Sequence, residues 1–454
     1  MKNKILIANR GEIAIRIIRA AKELGIETVA IYSKADESSL HVKLADEAIC
    51  IGGSQSKDSY LNMNNVLSAA ISTGCNSIHP GYGFLAENSE FVEMVEQCNI
   101  TFIGPNSKII SMIGDKSSAR KIAKANGVPI VEGSDGIVEN AEEGLKIAKK
   151  IGYPVMIKAS SGGGGRGIAI VRSDDEFLSA FERTSMEAET IFGDRALYIE
   201  KFIESTRHIE IQVMADTKGN IVHLFERDCS MQHRNQKMIE ETPSPFLSDI
   251  LRRKMGATAV KLAKAINYVN AGTMEFLVDP KGNFYFIEMN TRIQVEHPIT
   301  EAITGIDLVK EQIKVAYGKE LSFKQRDLKI NGHAIECRIN AEHAMKGFTP
   351  SPGKITNILF PGGIGVRIDT HIYPGYEVSP YYDSMLAKLI VHAPTRREAI
   401  KKMRVALEQF VIEGISTNIE YQYLIMHNPD FIKGQYDTGF IARFTALVEA
   451  ESHE

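Results

Sequence analysis

The chain has 454 residues, with 53 Lys and Arg against 57 Asp and Glu, 12 His, 5 Cys and no Trp. Its length predicts roughly two to four domains, and 44% hydrophobic with 24% charged residues is a globular composition, not a disordered one. A net charge of −4 gives no ground for nucleic-acid binding, the odd cysteine count without C-x-x-C argues against disulfides or zinc, and no apolar run suits a signal peptide or membrane span, so a cytoplasmic soluble protein is expected.

In chain order, Lys4–Ala8 reads as a strand, and Ile13, Ile17, Ala20 and Leu24 follow helical spacing. Gly25 offers a C-terminal cap, and Thr28–Tyr32 resumes as a strand. This is a βαβ unit of a parallel sheet. It lacks G-x-G-x-x-G and has only Gly11 at the first turn, so it reads as scaffold rather than as a dinucleotide site. Further strands at Ala48–Ile51, Ser77–His79 and Thr101–Ile103 complete an α/β domain over residues 1–112. A turn-rich stretch, Gly127–Gly136, then precedes a compact α+β insert. There Pro154–Ala159 and Ile168–Val171 are strands flanking a Gly162–Gly165 loop. Ser173 with Glu176 forms a capping-box pattern before a helix bearing Phe177, Phe181, Ala188 and Phe192, and Leu197–Phe202 returns as a strand. Beyond residue 204 the strands lengthen and alternate, as in Ile209–Met214 and Ile221–Glu226.

The glycine run, Lys158-Ala-Ser-Ser-Gly-Gly-Gly-Gly-Arg-Gly167, fits neither a Walker loop nor a Rossmann turn. Two readings stand: a hairpin tip whose backbone N–H groups close over phosphate with Lys158 as the cation, or a flexible hairpin with a Lys beside it. A second constellation is sharper. Ala271–Asp279 and Phe284–Asn290 read as a hairpin, and Asp279 opposite Phe284 sets Glu275 directly against Glu288. Opposed carboxylates repel, a divalent cation such as Mg²⁺ or Mn²⁺ removes the penalty, and Asn290 adds an oxygen on the same face. The competing arrangement is a solvent-facing pair or a one-residue slip that separates the carboxylates. Thr291-Arg-Ile-Gln-Val-Glu-His-Pro298 follows, in which Arg292 can fix an oxyanion and Glu296 can act as a base, or the two can form a loop salt bridge. The segment Arg227–Lys237, with Arg227, Arg234 and Lys237, can serve anionic substrates or be a solvated loop, the loop being favoured, and His208 can bind a ligand or, as is commoner, be a hydrogen-bonded structural histidine. Ala344-Met-Lys-Gly347 lacks the second Met and the small hairpin domain of a biotin attachment site and is set aside.

Together with Ala8-Asn-Arg-Gly-Glu-Ile-Ala14, His79-Pro-Gly-Tyr-Gly-Phe84, Glu336-Cys-Arg-Ile-Asn-Ala-Glu342 and Tyr381-Tyr-Asp-Ser384, these segments make the chain resemble biotin carboxylase, an ATP-grasp enzyme. The resemblance implies α/β and α+β parts: an N-terminal parallel domain (1–112), an ATP-grasp domain (113–330) with a mobile lid about 131–203, and a C-terminal β-rich domain (331–446). It implies an ATP-dependent ligase that joins bicarbonate to biotin on a carrier protein through carboxyphosphate. Lys116, Lys158 and Gly162, Gly163, Gly164 and Gly165 would hold the ATP phosphates. Glu200, Lys201 and Ile203 would meet the adenine and His208 the ribose, with Gln232 and Leu277 also at the nucleotide. Glu275, Glu288 and Asn290 would bind Mg²⁺ or Mn²⁺. Lys237, Arg292, Gln294 and the Val295 N–H would cradle bicarbonate, with Glu296 the general base, Arg338 stabilising the biotin enolate and Tyr82 near its ring. Asn235 departs from the His that many members carry two residues before the Lys. The implied partners are a biotin carboxyl carrier protein, a second copy of the chain and a carboxyltransferase subunit, with no nucleic acid or membrane. The first half-reaction of acetyl-CoA carboxylase, toward malonyl-CoA and fatty acids, ranks before that of pyruvate carboxylase. Another bicarbonate-activating ATP-grasp ligase, such as half of a carbamoyl-phosphate synthetase, and a non-catalytic nucleotide-binding protein rank below both.

Overall fold

The computed structural model describes residues 3–160 and 167–451. The Gly162–Gly165 loop therefore lies outside the described residues. Five parallel strands form the first sheet: β1 (Lys4–Ile7), β2 (Glu27–Ser33), β3 (Glu47–Gly52), β4 (Ser77–His79) and β5 (Thr101–Phe102), ordered β3-β2-β1-β4-β5. Helix α1 (Gly11–Glu23) buries Ile13, Ala14, Ile17 and Ile18. It stops as its sequence predicts. Gly25 takes φ +71°, its N–H reaches Lys22 O, and the Ile26 N–H reaches Ala21 O, both at 2.9 Å.

The strand order reverses between β1 and β4, and the loops leaving these strands meet. Asn9 donates through Nδ2 to Pro80 O and Tyr82 O, both at 2.7 Å. Between them Gly81 has φ +63°, and a Cβ there would lie 2.9 Å from Asn9 Nδ2. Gly81→Ala is expected to cost about 1–3 kcal/mol and to displace Tyr82. A thermal melt superimposing on that of the parent would contradict this.

Helix α2 (Lys116–Ala125) leads toward the stretch expected to be a lid, its Asp115 cap accepting the Ser118 N–H at 2.8 Å. The lid is a sheet of β6 (Val155–Ala159), β7 (Ile168–Val171) and β8 (Leu197–Lys201), ordered β7-β6-β8. Helices α3 (Ala141–Ile151) and α4 (Asp174–Phe192) cover one face, around a core that includes Val155, Ile157, Phe177, Phe181 and Ile199. The capping box is not made: Ser173 forms no side-chain capping bond, and Glu176 accepts the N–H of Arg172, one residue before the cap, at 3.0 Å. Within and just past the stretch expected to be turns, backbone pairing ties this sheet to the main one. The Phe286 N–H bonds Pro129 O at 2.7 Å, and those of Lys201, Ser134 and Val138 bond Glu132 O, Ile199 O and Leu197 O at 2.8 Å.

The main sheet has eight antiparallel strands: β9 (Arg207–Ala215), β10 (Ile221–His233), β11 (Gln236–Thr242), β12 (Asn270–Val278), β13 (Phe284–Asn290), β14 (His333–Asn340), β15 (Val366–Thr370) and β16 (Met385–Ala393), ordered β13-β12-β9-β10-β11-β14-β16-β15. Strands β14, β15 and β16, all after residue 331, thus continue the main sheet, because β14 pairs with β11, while shorter strands beyond 341 form separate two-stranded sheets. Helix α5 (His297–Thr304) lies on one face, where Ile299 and Ile303 pack on Ala334 and Ile390. On the other face α6 (Arg396–Gln409) brings Ala399, Ile400, Met403 and Leu407 into a core with Ile335, Cys337 and Leu389.

The Arg227–Lys237 segment is not the solvated loop that its charge predicts. It is the β10–β11 hairpin, with Arg227 fully buried and only the tip exposed. Arg234 (φ +49°) and Asn235 (φ +65°) form the two-residue turn between His233 and Gln236. Left-handed backbone at both positions is the type I′ arrangement, which Asn accepts readily. The departure at Asn235 therefore fits its turn. Among the described residues, no helix is long and apolar enough to cross a membrane.

Candidate active site

The β12–β13 hairpin brings Glu275 directly opposite Glu288, as the spacing predicts, but by a different route. Near the turn, Val278, not Asp279, faces Phe284, so the expected register is off by one there. A bulge between Phe276 and Glu275 inserts one residue on β13 and restores the opposition. Asn290 lies on the same strand and donates through Nδ2 to Glu275 Oε1 at 2.8 Å, while its Oδ1 accepts from Arg292 at 3.0 Å. Glu288 is half-buried, and Lys116 Nζ lies 3.5 Å from its Oε2. All three side chains offer oxygen, the donor chemistry of Mg²⁺ or Mn²⁺, so the residues present fit such an ion.

Glu275 is buried in a dense polar network. Its Oε1 accepts from Lys237 Nζ at 3.0 Å and from Gln294 Nε2 at 2.8 Å, and His208 Nε2 lies 2.9 Å from Oε2. Burial alone would raise its proton affinity, but Lys237 and His208 hold the carboxyl well below the usual range. The His208 ring thus stands against this carboxylate, and ligand atoms of His208, Glu210 and Glu275 lie within 4.8 Å of one another.

Glu296, at the N-terminus of α5, is 2% exposed and sits between two cations. Lys237 Nζ donates to its Oε1 at 2.8 Å and Arg338 to its Oε2 at 2.9 Å. Burial pushes its carboxyl up, but the Lys237, Arg338 and Arg227 charges override that and hold it well below the ordinary value. Lys237 also donates to Glu210 at 2.5 Å, and the surrounding carboxylates hold its ammonium well above the usual range despite burial. Arg292 donates to Glu87 Oε2 at 2.7 Å and to Ile293 O at 3.1 Å. Gln294 accepts from Arg227 at 2.8 Å, and Val295 O accepts from Lys388 Nζ at 2.9 Å. Tyr82 donates its hydroxyl to Glu12.

The remaining expected residues gather on and below the lid. Lys158 Nζ donates to Glu200 Oε2 at 2.5 Å, and Arg120 holds the other oxygen. Lys201 spends its ammonium on Gly152 O (2.8 Å) and Tyr153 O (2.7 Å), so its charge faces the lid backbone. Ile203 is half-buried just past β8, Gln232 donates to Cys229 O at 2.8 Å, and Leu277 pairs with His208 across β12 and β9.

Several site residues escape a sequence reading. Glu87, from the N-terminal domain, accepts from Arg292 and from the Thr291 N–H (3.0 Å), and nothing near residue 87 marks it as a partner of residue 292. Arg227, which reads as a loop cation, donates to Gln212 (2.7 Å), Thr300 (2.9 Å), Thr273 (3.2 Å), Gln294 (2.8 Å) and Glu210. The open lid face escapes as well. Pairing of Met156 with Ile170 and of Lys158 with Ile168 sets apolar side chains beside the lysine. Period-two alternation along β6 and β7 is the available signal.

Three family models match: biotin carboxylase N-terminal domain over residues 1–110, carbamoyl-phosphate synthase L chain ATP-binding domain over 115–324, and biotin carboxylase C-terminal domain over 336–443. Biotin carboxylase 1 of Bacillus subtilis is 56% identical, covering 98% of this chain and 100% of that protein. The solved biotin carboxylase domain dimer of Hydrogenobacter thermophilus 2-oxoglutarate carboxylase, in complex with MgADP, ADP and bicarbonate, superimposes with a TM-score of 0.94 at 52% identity, covering 98% of each chain. The crystal structure of the biotin carboxylase subunit of pyruvate carboxylase superimposes with a TM-score of 0.85, also at 52% identity, covering 98% of this chain and 99% of that one.

Proposed function

This chain belongs to the biotin carboxylase family, and on that premise we propose that it carboxylates biotin with ATP and bicarbonate as an ATP-dependent ligase. The observation that carries the reading is Glu296, a buried carboxylate between Lys237 and Arg338. Bicarbonate is an anion, so it binds where Lys237 and Arg292 offer charge, with Gln294 and the Val295 backbone beside it. Glu296 takes its proton, and the freed oxygen attacks the γ-phosphorus of ATP as ADP leaves. The resulting carboxyphosphate breaks to CO₂ and phosphate. Phosphate removes the N1 proton of biotin, Arg338 steadies the negative charge on the ureido oxygen, and N1 bonds to CO₂. Tyr82 flanks that ring.

On the nucleotide side, Lys116, Lys158 and Gly162–Gly165 hold the phosphates. The adenine lies on the open lid face near Glu200, Lys201 and Ile203, where Met156, Ile168 and Ile170 supply apolar contact. His208, Gln232 and Leu277 line the rest. Glu275, Glu288 and Asn290 would hold Mg²⁺ or Mn²⁺, which supplies charge neutralisation at the phosphates. Closure of a lid about 131–203 excludes water from carboxyphosphate.

The three parts, 1–112, 113–330 and 331–446, lie close to the matched family segments. The chain works as one component of a larger cytoplasmic carboxylase, with a biotin carboxyl carrier protein and a carboxyltransferase. It pairs with a second copy, a reading supported by the dimeric solved relative. Acetyl-CoA, leading to malonyl-CoA and fatty acids, is the favoured final acceptor. Pyruvate is second, favoured by the solved relative from pyruvate carboxylase.

The test is ATP hydrolysis by the purified chain, expected to require bicarbonate and to rise with free biotin. Turnover indifferent to both would overturn the reading. Glu288→Gln is expected to raise the Mg-ATP concentration needed for half-maximal rate about tenfold or more, since even outer-shell partners of a metal act on that scale. An unchanged Mg²⁺ titration would remove Glu288 from the metal site.

A further inference from the structure

Strands β11 and β14 carry a second pair of directly opposed carboxylates, Glu240 and Glu336, both fully buried. Glu240 Oε1 accepts from Arg338 Nε at 2.7 Å. Among the described residues, Glu240 Oε2 and both oxygens of Glu336 have no hydrogen-bond partner. Cross-strand neighbours have Cβ atoms about 4.5–5.5 Å apart. Two ionised carboxylates at that spacing, desolvated and with oxygens unbonded, are strongly disfavoured.

The surrounding charges do not remove the problem. On β11 itself, Lys237 is divided among Glu210, Glu275 and Glu296. On β16, Lys388 bonds Val295 O at 2.9 Å and lies 3.0 Å from Glu12 and 3.9 Å from Asp369 of β15. Glu296, before α5, adds a negative charge and shares Arg338 with Glu240. Burial keeps the thiols of Cys229 on β10 and Cys337 on β14 well above the usual range, so they contribute no charge. Glu241, the next residue on β11, is satisfied by His333 and, from α6, Arg396. Burial likewise lifts the proton affinity of Glu240 and Glu336. Arg338 opposes the lift at Glu240 while Glu296 adds to it, and Lys388 opposes it at Glu336 while Glu240 adds to it.

We propose that Glu240 and Glu336 hold one proton between them and act as positioning residues for Arg338. This deepens the biotin carboxylase reading and rests on Arg338 meeting biotin. With the proton in place, the pair carries one negative charge, and the guanidinium can turn toward the ureido oxygen. Without it, two negative charges retain the guanidinium.

The sign follows from the raised proton affinity. As pH rises the shared proton leaves, Arg338 is held more tightly, and KM for biotin increases while kcat for bicarbonate-dependent ATP hydrolysis changes little. In the parent, KM for biotin is expected to rise severalfold between about pH 6 and pH 9, the range in which buried carboxyls titrate. In Glu336→Gln one member cannot ionise, and the rise is expected to shrink below about twofold. An undiminished rise in Glu336→Gln overturns the proposal. Infrared spectroscopy of the parent gives a readout that no variant's folding can obscure: a protonated-carboxyl C=O band at neutral pH that bleaches as pH rises. Its absence also overturns the proposal. Arg338→Gln separates the two layers. Biotin-stimulated turnover that survives in Arg338→Gln removes Arg338 from the biotin site and the proposal with it, turnover indifferent to biotin in the parent removes the functional reading, and a missing infrared band removes only the shared proton.

Discussion

Glu296→Gln is expected to lower bicarbonate-dependent ATP turnover by about 10²–10⁴-fold, the range of a positioned general base, with KM for ATP unchanged within about twofold. Gln keeps the shape and still offers an oxygen to Lys237 or Arg338, but it cannot take a proton. The Glu296 carboxylate bonds those two cations and not the lid residues, so nucleotide binding has little reason to respond. The same cations explain how a carboxyl held well below its usual range can serve as a base. Anionic bicarbonate draws Lys237 toward itself, loosening its hold on Glu296 and raising the basicity of that carboxylate when the substrate is present. Steady-state kinetics with ATP and bicarbonate varied separately would check this. A parallel rise in KM for ATP would show that Glu296 holds the nucleotide instead.

The largest stability effect is expected at Arg227. Arg227→Met would take a donor from Glu210, Gln212, Thr273, Thr300 and Gln294, all buried and all bonded to that guanidinium, and leave Glu210 with Lys237 as its remaining cation. Removing one partner of a buried ionic network typically costs about 3–5 kcal/mol, because the remaining charge is left desolvated. Calorimetry should record a clearly lower unfolding temperature, with activity falling as well because Gln294 loses an anchor. A midpoint within about a degree of the parent would show the network to be dispensable.

How far the sequence can be read depends on whether the signal is local. Strand β4 lies at the residues where its sequence puts it, and the α1 cap at Gly25 can be placed because glycine marks left-handed backbone. The opposition of Glu275 and Glu288 is also legible, but only because the β13 bulge offsets a register that is one residue off at the turn. Arg227 misleads because a charged residue in a polar run looks solvated until its distant partners are known. Glu87 and Arg292 are brought together by tertiary packing alone. The opposed pair Glu240 and Glu336 leaves no trace because their strands lie far apart in the chain, and no turn fixes their register.

The pairing of β11 with β14 has a consequence for anyone dividing this molecule. A fragment ending near residue 330 would keep the carboxylates of β12 and β13 but lose Arg338 from Glu296. It would also expose along β11 a naked sheet edge, whose unpaired N–H and C=O groups invite association with other chains. The strand that carries Arg338 to Glu296 thus belongs to the same hydrogen-bonded sheet as the hairpin of Glu275 and Glu288, and truncation should yield an aggregating fragment instead of a minimal enzyme.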